Sequence, residues 1–188
     1  GVGTGIGSGL MLGGNLVRGA GNAAGEMGFL PIGTDPFAPE SLRVGAYERT
    51  VATHGIIDRY AAATGEKIGV PAIFERAAAG DAAALSVIDD TARQVACGIA
   101  AISAIANPQI VILGGSIGLR PEILERARHF LPQCFPYPVD VVSGDLGARA
   151  ALVGATAVGL SQLHNTLFGV AAPNTGISLP PAGTLGIG

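Results

Sequence analysis

Near the start of the chain, the stretch Gly3-Thr4-Gly5-Ile6-Gly7-Ser8-Gly9 constrains the fold more than any other. Glycine is used where a ligand approaches the main chain or where φ is positive. Successive N–H groups in such a turn form an anion-binding nest, to which the Thr4 hydroxyl adds a donor. The pattern is compatible with a phosphate-binding turn and equally with a glycine-rich hairpin that binds nothing. It is not a Walker A loop, because no Gly-Lys-Ser/Thr follows, and a dinucleotide-binding motif would need a helix where a strand is expected here.

The composition narrows the class of protein. The chain has 188 residues, of which 48% are hydrophobic and 13% are charged. This length suffices for one domain with a core, and the low charge argues against intrinsic disorder. The net charge of −3, without any cluster of Lys or Arg, offers no electrostatic surface for nucleic acid or for an anionic membrane. Cys97 and Cys134 have no metal-binding spacing, so we expect two reduced, buried cysteines in a cytoplasmic protein.

Apolar periodicity and turn signals predict an α/β order of elements. Strands are expected at 4–12 and 15–18, joined by a Gly13-Gly14 turn, and at 29–32, 109–113 and 138–142. Helices are expected at 45–63, 71–79, 81–106, 121–131 and 148–163, and an irregular loop at 33–44.

An uncharged segment from 94 to 119 is long enough to span a bilayer. Asn107-Pro108 interrupts it, so we interpret it as a buried helix followed by a buried strand. The almost uncharged helix 148–163 is expected to be buried as well.

Ligands of open α/β sheets bind at the carboxyl ends of strands. The glycine turns at 3–9 and 114–116 both lie beside strand ends, and we expect them to converge on one ligand.

Several motifs, in order, resemble the ROK family of bacterial sugar kinases and sugar-responsive repressors. They are the glycine stretch 3–9, Leu16-Val17-Arg18-Gly19-Ala20, Ala24-Gly25-Glu26-Met27-Gly28 and Ile112-Leu113-Gly114-Gly115. The resemblance implies an α/β, actin/hexokinase-like (ribonuclease H-like) lobe with a mixed sheet flanked by helices. It implies that residues 1–165 form a C-terminal lobe whose N-terminal lobe is missing from this chain. Residues 166–188 would be a Gly/Pro-rich, uncharged tail.

The resemblance also implies which residues bind ligands. The implied ATP-binding residues, acting with Mg²⁺, are the phosphate-loop residues Gly3, Thr4, Gly5 and Gly7 and the adenosine-binding Gly114 and Gly115. Glu26 and Glu48 correspond to carboxylates that bind sugar hydroxyls. A carboxylate accepts two hydroxyl protons at once, and sugar hydroxyls come in adjacent pairs. An ordinary surface charge remains the alternative for both glutamates, more so for Glu48, which opens a helix.

Two departures from the family pattern bear on activity. Phe29 stands where family kinases have a sugar-binding His. No cysteine occurs between Phe29 and Glu48, and Ala46 replaces the last cysteine of the family's zinc-binding run. A closed zinc site needs four ligands, so we expect no zinc. The family's catalytic Asp belongs to the N-terminal lobe, so we expect no catalytic residue in this chain.

Three functions follow as hypotheses. The favoured one is the sugar- and ATP-binding lobe of a sugar-responsive transcriptional regulator, which would contact DNA only through a missing N-terminal domain. The alternative is half of an ATP-dependent, glucokinase-like phosphotransferase for a hexose or amino sugar. The third is a non-catalytic lobe that dimerises through the alanine-rich helix 81–106. The expected partners are a monosaccharide or amino sugar, the missing lobe and further copies in a homo-oligomer, without a membrane.

Overall fold

The computed structural model describes residues 1–168. Within that range the chain forms two compact units, Gly1–Ser8 with Glu26–Gly144, and Gly9–Gly25 with the chain from Asp145 onward. The helices of the first unit are α1 Pro39–Val44, α2 Ala46–Val51, α3 Thr53–Thr64, α4 Val70–Ala78, α5 Ala82–Ala106, α6 Gly115–Gly118 and α7 Pro121–Cys134.

Helix α5 is the centre of the first unit, and its predicted limits are confirmed. The Asp81 side chain caps it by accepting a hydrogen bond from Ala84 N at 2.8 Å. It ends at Asn107, which adopts a left-handed conformation with φ of 42°. The helix contributes a buried stripe to a core shared with α2, α3, α4 and α7. The largest fully buried side chains of that core include Tyr47, Tyr60, Ile56, Ile73, Ile88, Ile117 and Ile123.

Two parallel strands, β3 (Ile110–Leu113) and β4 (Asp140–Ser143), pair in the register Ile110↔Asp140 to Leu113↔Ser143. The two strands were both predicted. The prediction that β3 is a buried strand is wrong for one of its faces, because Leu113 is 6% exposed whereas Ile112 is 61% exposed. Side chains of a strand alternate between two faces, and only one face of this pair lies on the core.

Three predictions for residues 29–63 need correction. The expected strand 29–32 does not form, because Phe29 ends a turn of 3-10 helix, Met27–Phe29, and residues 30–32 are irregular. The expected loop 33–44 contains α1, which begins at Pro39, a residue suited to the first helical position. The expected helix 45–63 is two helices, because Ala52 between α2 and α3 has extended backbone angles of φ −81° and ψ 176°.

The second unit contains the predicted hairpin, with shorter strands. Strands β1 (Leu10–Leu12) and β2 (Asn15–Val17) are antiparallel, and both turn glycines, Gly13 and Gly14, have positive φ as a tight hairpin turn requires. Residues 4–9 do not extend β1. After a 3-10 turn at Gly147–Arg149, helix α8 occupies Ala150–Phe168.

Helix α8 is longer and more exposed than predicted. Its Leu160 side chain is 62% exposed and Leu152 is exposed too, so the expected burial is wrong for this helix. The predicted tail 166–188 begins inside α8, and its residues 169–188 lie outside the described range.

None of the helices in residues 1–168 combines the length and apolarity needed to cross a membrane. Both cysteines are free, but the predicted burial is wrong for Cys134, which is exposed, and Cys97 is only half-buried.

Candidate functional site

The first glycine turn packs against the turn that follows β3. Val2 N donates to Gly114 O at 2.7 Å, and Val2 O accepts from Ile117 N at 2.9 Å and Gly118 N at 3.0 Å. Gly115 has a φ of +83°, and a Cβ there would lie 2.3 Å from Val2 O, so only glycine fits this contact. The structure therefore brings the two predicted glycine turns together.

The same glycine turn is anchored to the beginning of α3. Gly3 O accepts from Thr53 N at 3.0 Å and from Thr53 Oγ1 at 3.1 Å. Within the turn, Gly3 N donates to Gly5 O at 2.9 Å and Gly7 N donates to Gly1 O at 3.0 Å. Thr53 is a structural partner that the sequence did not reveal, because it belongs to no motif.

Glu48, on the first turn of α2, holds the glycine turn from a third side. Its Oε2 accepts a hydrogen bond from Ile6 N at 2.8 Å. A Cβ on Gly5 would lie 2.8 Å from the same oxygen, so the carboxylate rests against the main chain of the turn. Two predicted subsites, one for sugar and one for nucleotide, thus meet at this side chain.

Glu26 lies on an exposed loop. Two residues later, Gly28 brings the chain close to the contact between Glu48 and Ile6. A Cβ on Gly28 would lie 3.4 Å from Ile6 Cγ2 and 3.5 Å from Glu48 Cβ. The Glu26 carboxylate itself is exposed and makes no hydrogen bond or ion pair within residues 1–168. Its predicted role in sugar binding remains a prediction, compatible with this placement.

The predicted nucleotide-binding glycines differ in what surrounds them. Gly3, Gly5 and Gly115 pack against Ser116, Glu48 and Val2 respectively. Within the described part of the chain, no atom would come within 4 Å of a Cβ on Gly7 or Gly114. Packing therefore explains the first three glycines, whereas Gly7 and Gly114 are open to a ligand.

A cavity of about 920 Å³ opens beside the turn, between the loop 33–44, α2 and α3. Thr4, Glu48 and His54 line it together, so His54 is a further candidate for ligand contact, although no sequence pattern indicated it. Arg59 also lines it and is fixed by donating to Thr50 O at 2.5 Å and to Thr91 Oγ1 at 2.7 Å. Burial lowers the pKa of the Arg59 guanidinium.

Hydrogen bonds hold the loop that replaces the cysteine-containing run. Ser41 is 2% exposed; its Oγ donates to Asp35 O at 2.6 Å and accepts from Arg49 Nη1 at 2.6 Å. Nearby, the Phe29 ring is 53% exposed and has no group that could hydrogen-bond to a sugar. Among residues 1–168 no three or more His, Cys, Asp or Glu side chains group together as metal ligands would. The absence of zinc stays a prediction.

The fold is that of an actin/hexokinase-like α/β lobe. A ROK hexokinase from Thermus thermophilus is similar, with a TM-score of 0.66 and 28% identity over 82% of this chain and 53% of that chain. The sequence matches the ROK family over residues 1–161, and the chain belongs to that family.

Relatives within the family include kinases and a regulator. An Escherichia coli N-acetylmannosamine kinase is 37% identical over 159 residues, which are 82% of this chain and 53% of the enzyme. The chain therefore spans only about half of that relative. A ROK transcriptional regulator, a homologue of the E. coli MLC protein, is similar with a TM-score of 0.60 and 25% identity, over 76% of this chain and 40% of that chain.

Proposed function

We propose that this chain is the sugar-sensing C-terminal lobe of a ROK transcriptional regulator. The observation that carries the proposal is Phe29. It places an exposed hydrocarbon ring where the family resemblance gives kinases a sugar-binding His, while Glu26, Glu48 and the glycine turn are kept. Such a site retains two carboxylates for binding but loses one side chain that could hydrogen-bond to the sugar. The likeness to a solved ROK regulator supports the same interpretation.

The ligand we propose is a monosaccharide or an amino sugar. Glu26 presents an exposed carboxylate and Glu48 a half-buried one, and each can accept hydrogen bonds from two hydroxyls at adjacent positions of a sugar ring. Because an E. coli relative acts on N-acetylmannosamine, that sugar and its N-acetylhexosamine isomers are the first to test.

Nucleotide binding is part of the proposal. The uncrowded main chain at Gly7 and Gly114 leaves room for a polyphosphate beside the turn, and the exposed Thr4 hydroxyl can donate a hydrogen bond to it. ATP with Mg²⁺ would supply the transferable phosphoryl group of a kinase. In a regulator the same turn would serve binding alone. We further propose a cytoplasmic homo-oligomer.

Sugar-dependent DNA binding by the full-length protein tests the regulator. The DNA probe is a labelled fragment from upstream of its own gene, and binding is followed by fluorescence anisotropy with and without N-acetylmannosamine or glucose. We expect the sugar to change the DNA affinity by about 5- to 150-fold, the usual range for coupled sites. Failure to bind DNA, or DNA binding that no sugar alters, would contradict the proposal that the protein is a transcriptional regulator.

A kinase is the second candidate, favoured by the identity with N-acetylmannosamine kinase and by the open glycine turn. An ADP-release assay on the full-length protein with hexoses and N-acetylhexosamines distinguishes the two functions. A kinase should turn over at about 1–100 s⁻¹ on its own sugar. Replacing Thr4 by Val should then raise the KM for ATP. Background turnover on every sugar would rule against this candidate.

A further inference from the structure

Glu48 lies where the proposed sugar and nucleotide subsites touch. Its Oε2 is 2.8 Å from Ile6 N, a residue of the glycine turn that lies 42 positions earlier in the chain. The bond is charge-assisted, since a carboxylate accepts from a main-chain N–H, and such bonds are about twice as strong as neutral ones.

The contact confines the carboxylate on more than one side. A Cβ on Gly5 would lie 2.8 Å from Oε2, 3.2 Å from Cδ and 3.4 Å from Oε1, so the whole carboxyl group faces the turn. The Cβ of Glu48 is in turn close to Gly28, which also touches the Ile6 side chain. The position of this carboxylate is therefore tied to that of Ile6 N and of the main chain at Gly5.

The carboxylate has acceptor capacity beyond the bond to Ile6. Two oxygens provide about four lone-pair positions, of which Ile6 N–H takes one. A sugar hydroxyl that donates to the same group would fix its position and, through it, the position of the turn. Fixing the turn in advance lowers the ordering cost that a bound polyphosphate would otherwise pay.

We infer that Glu48 is a positioning residue for the glycine turn and makes sugar and nucleotide binding cooperative. Coupling of this kind is reciprocal, so the nucleotide raises the sugar affinity by the same factor as the sugar raises the nucleotide affinity. The inference rests on the proposed binding of sugar and nucleotide, but holds for a regulator and for a kinase alike.

The sharpest test removes the hydrogen bond and leaves Glu48 in place. Replacing Ile6 in the full-length protein by its α-hydroxy acid counterpart converts one backbone amide to an ester and deletes only that N–H. The affinity for the Mg²⁺ complex of AMPPNP is measured by calorimetry with and without saturating N-acetylmannosamine. In the unmodified protein we expect a sugar-induced gain of about 5-fold or more, and in the ester a gain that falls towards about 1-fold.

An ester at Gly7 is the matched control, because Gly7 N donates within the turn, to Gly1 O. It removes a main-chain N–H donor of the same turn, whose acceptor is a neutral carbonyl, without touching Glu48, so the sugar-induced gain should remain even where nucleotide affinity itself falls. Conservative variants give a second readout. Glu48→Gln keeps an oxygen that can accept from Ile6 N–H and should keep the gain, whereas Glu48→Asp withdraws the carboxylate by one methylene and should lose it.

The outcomes separate this inference from the function on which it rests. If the unmodified protein binds both ligands independently, or if the Ile6 ester keeps the full gain, the coupling role of Glu48 is wrong and ligand binding stands. If the unmodified protein binds no sugar from the N-acetylhexosamine and hexose panel, the proposed function is wrong and the inference fails with it.

Discussion

At the residue scale, the glycines of the first turn serve different purposes that their spacing conceals. Alternate glycines in 3–9 suggest one explanation, close approach of a ligand. Gly5 instead makes room for the Glu48 carboxylate, and Gly3 for Ser116. The sequence could indicate that the main chain is closely approached here, but not by what, because the partners lie far along the chain.

Alanine should therefore lower the free energy of unfolding at Gly5 but leave it almost unchanged at Gly7. A methyl group at Gly5 would displace Glu48 Oε2 from Ile6 N, and losing a half-exposed bond to a charged group should cost about 1.5 kcal/mol of unfolding free energy. A methyl group at Gly7 meets nothing within residues 1–168, so the free energy should stay within about 0.5 kcal/mol. Urea unfolding of the full-length variants measures both.

Nucleotide affinity provides the other half of that comparison. Gly7→Ala should weaken binding of AMPPNP although it leaves stability intact, because the methyl group would stand where a phosphate approaches. An unaltered affinity in this variant would mean that Gly7 does not face the nucleotide. Equal losses of stability at Gly5 and Gly7 would contradict the packing difference between them.

At the element scale, the long helix and the two strand pairs were predictable, whereas the limits of the short helices α1 and α2 were not, and the strand expected at 29–32 was wrong. Helix α5 carries its own signals, an Asp81 cap and an Asn107-Pro108 end, so local chemistry sets its limits. The short helices α1 and α2 depend on tertiary contacts. Ser41 is buried under Arg49, and Gly45 lies against Gly28, neither of which a local pattern can show.

Gly45 lies in close main-chain contact with Gly28, so a side chain at this position should be strongly destabilising. It separates α1 from α2 at φ +97° and ψ 134°, a region essentially restricted to glycine, and a Cβ would lie 2.3 Å from Gly28 O. Gly45→Ala should cost about 3 kcal/mol of unfolding free energy.

Gly65, which ends α3, is the control for that variant. Its φ is +79°, but no atom in the described range would lie within 4 Å of a Cβ, so Gly65→Ala should cost only about 1 kcal/mol. Urea unfolding compares the two variants. Similar costs would show that positive φ alone, and not the approach to Gly28, restricts Gly45.

Helix α2 is also tied to α5 through Tyr47, whose ionisation should make stability depend on alkaline pH. The side chain is 1% exposed and donates to Gln94 O at 3.0 Å. Burial, and secondarily Cys97, raises the pKa of the Tyr47 hydroxyl above its usual value. The folded state therefore holds this proton more tightly than the unfolded chain. The resulting stability is fully present below the unfolded pKa of about 10 and is lost as the pH rises above it.

Removing the hydroxyl should flatten that pH dependence. Tyr47→Phe should cost about 1 kcal/mol of unfolding free energy at neutral pH, the contribution of one hydrogen bond. When the pH is raised above about 10, the variant should lose less stability than the unmodified protein. The exposed Tyr137 provides Tyr137→Phe as a control that should leave the profile unchanged. If Tyr47→Phe and the unmodified protein lose stability in parallel, the buried hydroxyl is not the group that titrates.

At the scale of the whole molecule, the family motifs predicted the fold class, and the position of the two glycine turns beside strand ends predicted that they lie together. The burial of β3 and α8 was predicted wrongly. Apolar composition predicted burial for β3 and α8, yet Ile112 and Leu160 are exposed within residues 1–168. Composition indicates that a segment tends to be covered, but what covers it depends on the assembly of distant parts. The same limit applies to Glu26, whose exposed carboxylate gains a role only if a ligand binds.

Ligand-induced stabilisation of the full-length protein tests that role directly. A sugar that binds only the folded state at about 100 times its Kd adds about 2.7 kcal/mol of unfolding free energy. Glu26→Ala and Glu48→Ala should each remove most of this gain, because each deletes a carboxylate proposed to accept sugar hydroxyls. Glu125→Ala, an equivalent change at an exposed site on α7, should keep it. Thermal unfolding with and without N-acetylmannosamine or glucose measures the effect. A gain that survives in the Glu26 and Glu48 variants would mean that neither carboxylate binds the sugar.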